Sequence, residues 1–302
     1  MCSHNPRPAY ITESLESLRS QTLPVSEWDL TLIDNASATP LKETVVCGWH
    51  PRRRIIREEA LGLTHARLRG IRETTGSILV FVDDDNILNP DYLQRVIEIA
   101  YANPHIGAWG GGAKPRFEKD PPLWTRRFWG NLVIRDIEQD SWSNLYHTHS
   151  TVPLGAGLCV RREAAQYYVK LHDDGQRGMM LDRAGTQLLS GGDTDLALCA
   201  LDIGLGCGNF KALSLVHIIP ANRLEERYLI NLAAGIAYSA VVLRSFRPSV
   251  CPPEMERRIV GRIADGLRMI RANPLERRLK RALGTAEEDA RKDLAHFTAR
   301  SL

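Results

Sequence analysis

Cross-linking cysteines, long apolar runs and an excess of either charge are all scarce in this 302-residue sequence. Its six cysteines (Cys2, Cys47, Cys159, Cys199, Cys207, Cys251) include no CxxC pair and make no zinc-like grouping with the histidines. A chain this long buries a core without cross-links, so they read as reduced and mostly buried thiols, which suits a cytoplasmic setting. MCSHNPRPAY holds no apolar h-region, so no signal peptide is expected there. The longest apolar stretch, residues 229–243, contains Asn231 and Ser239. It falls short of the roughly 20 residues a membrane helix needs and is expected to be a buried or interfacial helix. No internal repeat or low-complexity segment is present.

The formal net charge is only +3, which excludes a polyanion-coating protein and a disordered acidic tail. No nucleic-acid partner is implied. The balance is uneven, however. Residues 1–220 carry 23 basic and 26 acidic side chains, and residues 221–302 carry 16 and 10. A basic C-terminal segment is either a solvated helical face or a contact for an anionic surface.

The first half alternates helical and strand-like periods. Ile11, Leu15 and Leu18 predict an amphipathic helix over 8–21, and residues 30–33 form an apolar run ending at Asp34-Asn35-Ala36-Ser37. A short strand at 54–57 and a helix over 62–75 follow. Residues 78–82 (ILVFV) read as a strand buried on both faces, cut off by Asp83, Asp84 and Asp85. Asn89 and Pro90 are expected to cap a helix reaching about residue 102. Trp109-Gly110-Gly111-Gly112 closes a strand, with a turn the expected role of its glycines. An aromatic-rich loop, a strand at 155–160, helices from Arg162 and from Gly191, and a strand at 213–219 complete the body. From Asn222 on the chain reads as helical, with breaks at Pro248–Pro253 and Asn273-Pro274.

Such alternation predicts an α/β fold with parallel strands joined by right-handed crossovers, whose ligands bind at the carboxyl ends of the strands. Asp34 and the three aspartates at 83–85 should therefore emerge on one edge. Three adjacent carboxylates need a cation, and oxygen ligands beside substrate phosphates suit Mg²⁺ or Mn²⁺. His217 can complete a metal shell or sit as an ordinary strand histidine. Asp193 and Asp195 open a helix, where one can cap it and the other act as a general base; spacing does not say which. Arg67 can pair with phosphate, with Asp34, or with solvent. The aromatics Trp124, Phe128, Trp129, Trp142 and Tyr146 can stack on a sugar or pack a flap.

These elements in order resemble family 2 glycosyltransferases of the GT-A fold. The resemblance rests on His4-Asn5, LIDNAS (32–37), GLTHAR (62–67), FVDDD (81–85), GGDTDL (191–196) and LVHIIP (215–220), and spans about residues 4–230. It implies a Rossmann-like, mainly parallel mixed sheet flanked by helices over 1–221, with a nucleotide-binding half at 1–112 and an acceptor half at 113–221. Residues 222–302 would be a basic helical extension, in peripheral contact with a membrane's inner face or with an anionic acceptor. Asn5, Asp34, Arg67, Asp83 and Asp84 would bind a nucleotide-sugar donor, with a UDP-sugar leading. Asp85 and His217 would hold Mn²⁺ or Mg²⁺, and Asp193 would be the general base. The reaction would be an inverting displacement by a hydroxyl of a saccharide, lipid-linked or protein acceptor.

Two departures stand out. Gly192 replaces the glutamate that usually precedes the catalytic aspartate. Only Met1, Cys2 and Ser3 precede His4, where the family has a full central strand. Either the start is assigned too late or the strand is missing, which would expose two long edges. Such a chain is expected to be unstable or inactive unless a partner or another segment fills the gap. The rival readings are therefore a catalytically impaired nucleotide-sugar-binding module and a sugar nucleotidyltransferase. The latter normally carries a basic, Gly-rich N-terminal loop, and none is found.

Overall fold

The computed structural model describes all residues except 147, 180, 184–187, 249, 251–272 and 301–302. Cys251 and the break expected at Pro248–Pro253 fall largely outside the described residues; the other five cysteines are free, and all but Cys2 are buried.

The fold is mixed α/β, with its strands in two sheets. The first sheet holds β1 (Cys2–Ser3), β2 (Leu30–Asn35) and β3 (Arg53–Glu58), all parallel. The second runs β4 (Ile78–Val80), β8 (Cys159–Arg161), β6 (Ile106–Phe117), β9 (Gly206–Ile219), β5 (Asn86–Leu88), and β7 (Ser141–Ser143) also pairs with β9. In it β6 and β9 are parallel, and the remaining pairs are antiparallel.

Helices cover both faces of the sheets. α1 (Pro8–Arg19), α2 (Leu41–Thr44) and α4 (Tyr92–Ala102) contribute Leu15, Leu41, Tyr92 and Val96 to one core, which also holds the fully buried Trp109. α3 (Leu63–Glu73), α5 (Arg162–Asp173) and α6 (Gly192–Asp202) supply a second, around Leu158, Val160, Tyr168 and Leu196. A sheet buried on both faces explains the unbroken apolar run at 78–82.

Several expectations are corrected. Cys2–Ser3 do form a strand, and Met1 before it donates its amino N–H to Thr31 O (2.8 Å) and accepts from Ile33 N (2.8 Å). The first strand is thus a stub rather than absent. Gly110, Gly111 and Gly112 lie inside β6 and not in a turn. A Cβ on Gly111 would strike the Leu213 backbone, so glycine lets β9 close on β6 at the register shift there. Asn89 does not cap α4 with its side chain; its carbonyl accepts from Tyr92 N (3.0 Å). Of the aromatics, Phe128 is buried and Trp129 lies 5.4 Å from Phe117, whereas Trp124 and Trp142 are exposed, Trp142 lying 4.5 Å from His105.

The C-terminal part is two helices, α7 (Glu226–Ser245) and α8 (Pro274–Arg300). Leu229, Leu232 and Ala233 of α7 pack on Phe128, Leu132 and Ile219, with Leu279 and Leu283 of α8 alongside. By length and composition α7 is apolar enough to cross a membrane, with a mean hydropathy of 1.3 in its most apolar window. At its end Arg247 enters the body, pairing with Asp195 (2.6 Å) and Asp202 (2.6 Å).

Candidate active site

A cleft of about 320 Å³ opens where the strands end, within the size range of small-molecule sites. Ser3 ends β1 and His4 follows it, Asn35 closes β2, and the three aspartates fill the turn from β4 to β5. That turn is tight: Asn86 N donates to Asp83 O (3.1 Å), and Asn86 Nδ2 donates to Asp85 Oδ1 (3.1 Å). Asn86 also pairs with His217 across β5 and β9, which sets the histidine beside Asp85.

His217 Nδ1 lies 3.0 Å from Leu132 O, so it carries the proton. Its Nε2 lone pair then faces the cleft, 3.5 Å from Asp85 Oδ2. Two ligands of one divalent cation, each about 2.1 Å from it, lie about 3 Å apart, so this carboxylate–imidazole pair fits such an ion. Among the described residues no group of three or more His, Cys, Asp or Glu side chains could hold a metal. A cation held here would take its remaining ligands from substrate oxygens and water, as Mg²⁺ commonly does.

Arg223, six residues beyond His217, donates to the same two groups: 3.1 Å to Asp85 Oδ2 and 3.3 Å to His217 Nε2. Burial would raise the Asp85 carboxyl, yet the adjacent His217 ring and the charge of Arg223 hold it down at about 2. Burial and the neighbouring Asp85 charge push Asp84 up to about 7 and raise Asp83 as well. Ser3 Oγ donates a short hydrogen bond to Asp84. The cleft therefore concentrates carboxylates that favour an added positive charge.

Across the cleft, α6 begins at Gly192, and Asp193 stands in its first turn. A Cβ on Gly155 would collide with the Asp193 carboxylate, so glycine makes room for it. Asp195 is turned away and buried, accepting from Arg177 Nε (2.7 Å) and Arg247 Nη1 (2.6 Å). The geometry thus separates two aspartates that spacing could not.

Arg67 is buried and donates to both Asp182 oxygens (2.8 and 2.9 Å), and Thr64 Oγ1 donates to Asp182 as well (2.9 Å). It pairs with Asp182, not with Asp34 or solvent. The Asp182 carboxylate also occupies the space where a side chain on residue 192 would begin, which explains the glycine there.

Two expected donor-binding residues do not reach the cleft. Asp34 accepts from Ser37 N (3.0 Å), Leu41 N (3.1 Å) and Arg57 Nη1 (3.0 Å), which spends its carboxylate on its own loop. Asn35 lines the cleft in its place. Asn5, with φ 48°, accepts from Ala38 N (2.8 Å) and so anchors the same loop, while His4 lines the cleft. Arg67, Asp83, Asp84, Asp85, Asp193 and His217 do share it.

Sequence reasoning missed Asp182, Arg183 and Arg223 as cleft residues. Asp182 and Arg183 lie in a loop with no periodicity. Arg223 had one available signal, its place directly after the strand that carries His217.

Comparison with known proteins gives a consistent picture. The model of glycosyl transferase family 2 matches residues 1–158. The putative glycosyltransferase EpsH of Bacillus subtilis is 32% identical over 91 residues, which are 30% of this chain and 26% of EpsH. The uncharacterized protein y4gI of Sinorhizobium fredii is 32% identical over 105 residues, 33% of this chain and 11% of y4gI. The chain therefore matches about a quarter of one relative's length and a tenth of the other's. Among solved structures, S. aureus TarS 1-349 in complex with UDP-GlcNAc aligns with a TM-score of 0.57 at 14% identity, covering 84% of this chain and 66% of that one. The mannosyltransferase PcManGT from Pyrobaculum calidifontis, in complex with GDP-Man and Mn²⁺, aligns at 0.53 and 17%, covering 97% and 86%. At such identities the likeness is one of fold.

Proposed function

The chain belongs to glycosyl transferase family 2, and we propose that it moves a sugar from a nucleotide-sugar to a hydroxyl acceptor with inversion, using a divalent metal. One observation carries this reading: a single cleft joins the Asp83–Asp85 turn, His217 and Arg223 on one side to Asp193 on the other. A UDP-sugar is the leading donor, and the UDP-GlcNAc held by TarS supports it. The GDP-Man and Mn²⁺ held by PcManGT support metal dependence and keep other nucleotides in the screen.

Asp85 and His217 would hold Mn²⁺ or Mg²⁺, which when bound offsets the charge of the departing diphosphate. Asp193 takes the proton of the acceptor hydroxyl. The hydroxyl oxygen bonds to the anomeric carbon while the bond from that carbon to the diphosphate oxygen breaks, and the electron pair leaves with the nucleoside diphosphate. Arg223, already beside Asp85, adds positive charge on the leaving-group side. Asp83 and Asp84, with Asn35 and His4 in the places first given to Asp34 and Asn5, line the donor side. The salt-bridged Arg67–Asp182 pair fixes the floor between them.

In this reading residues 1–112 bind the donor and 113–221 meet a saccharide, lipid-linked or protein acceptor. The apolar α7 and basic α8 support peripheral contact with a membrane's cytoplasmic face. Thermal stability titrated with UDP, GDP and Mn²⁺, followed by metal-dependent release of nucleotide from the matching nucleotide-sugar, tests the assignment. Binding without turnover would point instead to a non-catalytic binding module.

A further inference from the structure

Arg223 engages both of the groups assigned to the ion. Its Nη1 lies 3.1 Å from Asp85 Oδ2 and 3.3 Å from His217 Nε2, and those two atoms are themselves 3.5 Å apart. A guanidinium carries only N–H donors, so Nε2 is the acceptor in this contact. That agrees with the proton on Nδ1, which donates to Leu132 O (3.0 Å). An imidazole nitrogen that accepts has a single lone pair. The one on Nε2 serves the Arg223 N–H or a metal ion, not both.

Arg223 cannot give way by losing its proton, because a guanidinium stays charged. It has to move. Its backbone is held in the short turn Ala221–Leu224 between β9 and α7, where Arg223 N donates to Pro220 O (2.9 Å) and Leu224 is buried. The side chain borders the cleft and is 20% exposed, so rotation about its own bonds is enough to free His217. A diphosphate in the cleft offers the guanidinium fork a pair of oxygens in exchange for the carboxylate it leaves.

We propose that Arg223 is a built-in competitor for the Asp85–His217 pair, displaced by a divalent ion and drawn off by a nucleoside diphosphate. The inference rests on Asp85 and His217 being the ligands of the ion. In the empty site Arg223 offsets the Asp85 charge, which disfavours capture of free metal. A bound nucleotide removes that obstacle. Nucleotide and ion then strengthen each other by the same factor, as linkage requires.

Calorimetric titration of the full chain with MnCl₂, with and without UDP, tests this in the wild type and in Arg223→Met. Without UDP the variant should bind Mn²⁺ roughly 5–150-fold tighter than the wild type, the usual range of a coupling between sites. UDP should then add less to Mn²⁺ affinity in the variant than in the wild type. At a Mn²⁺ concentration too low to load the nucleotide-free wild type, pulsed EPR should detect imidazole nitrogen coupled to Mn²⁺ in the variant. Arg223→Gln, which drops the charge but keeps a polar end, gives the same readout if Arg223→Met does not fold. Adding Asp85→Ala to either variant should abolish the gain, and a gain that persists overturns the proposal. If the wild type binds Mn²⁺ with UDP and neither variant binds bare Mn²⁺ more tightly, the competition is overturned and the metal site stands. A wild type that binds no Mn²⁺ even with UDP overturns both.

Discussion

Asp85 and His217, far apart in sequence, lie 3.5 Å apart because Asn86 faces His217 across the β5–β9 ladder. Leu132 O fixes the imidazole so that its free nitrogen faces the carboxylate. If this pair holds the ion, Asp85→Ala abolishes the Mn²⁺-dependent rise in thermal stability. His217→Ala weakens Mn²⁺ at least tenfold, since even outer-shell partners of a metal cost 10–100-fold. Calorimetric titration of Mn²⁺ in the presence of UDP measures both, and unchanged affinity in either variant removes that residue from the site.

Asp193→Asn keeps the shape beside Gly155 but cannot take a proton at neutral pH. Turnover should fall by roughly 10²–10⁴-fold, the usual worth of a positioned base, with donor affinity unchanged. Full turnover would show the base assignment to be wrong.

Asp34 is expected to act on stability and not on donor binding. Asp34→Ala leaves the Ser37 and Leu41 N–H groups without acceptors, at a cost of about 2–4 kcal/mol. Burial would raise its carboxyl, but the hydrogen bonds from Ser37, Leu41 and Arg57 win and hold it below the ordinary value of about 3.9. Its contribution is therefore complete above about pH 4 and is lost as pH falls below that. Urea unfolding of Asp34→Asn at pH 3 and pH 7 should show a smaller loss at pH 3. Asn35→Ala, by contrast, should lower donor affinity, and a reversed pattern would restore Asp34 to the donor site.

The C-terminal helices are expected to be integral to the catalytic body. Asp195 is held between Arg177 and Arg247, so Asp195→Ala leaves the buried Arg177 without its carboxylate and Arg247 with Asp202 alone, at a cost of roughly 3–5 kcal/mol. The melting temperature should drop by roughly 6–15 °C. A chain ending at residue 221 loses Arg247 and uncovers Ile219 and Phe128. It should not yield a soluble, cooperatively folding protein, and a stable, active product would establish a separable extension.

The sequence by itself determined what local physics and pattern can carry. Apolar runs of strand length ending in Asp34 and in Asp83–Asp85 put those residues at strand ends, because a sheet covered on both faces leaves its polar groups at the edge. The ordered motifs carry the family resemblance on their own. Tertiary structure decided which side chains look inward. Asp34 and Asn35 are neighbours with opposite fates, because the Asp34 carboxylate is used up by its own loop. Asp193 and Asp195 part because two arginines distant in sequence converge on only one of them. Arg67 met Asp182, and Arg223 met Asp85, through loops that carry no periodic signal. The segment Cys2–Ser3, too short to read as a strand, proved to be one because it pairs with β2, and only folding shows which backbone groups find partners.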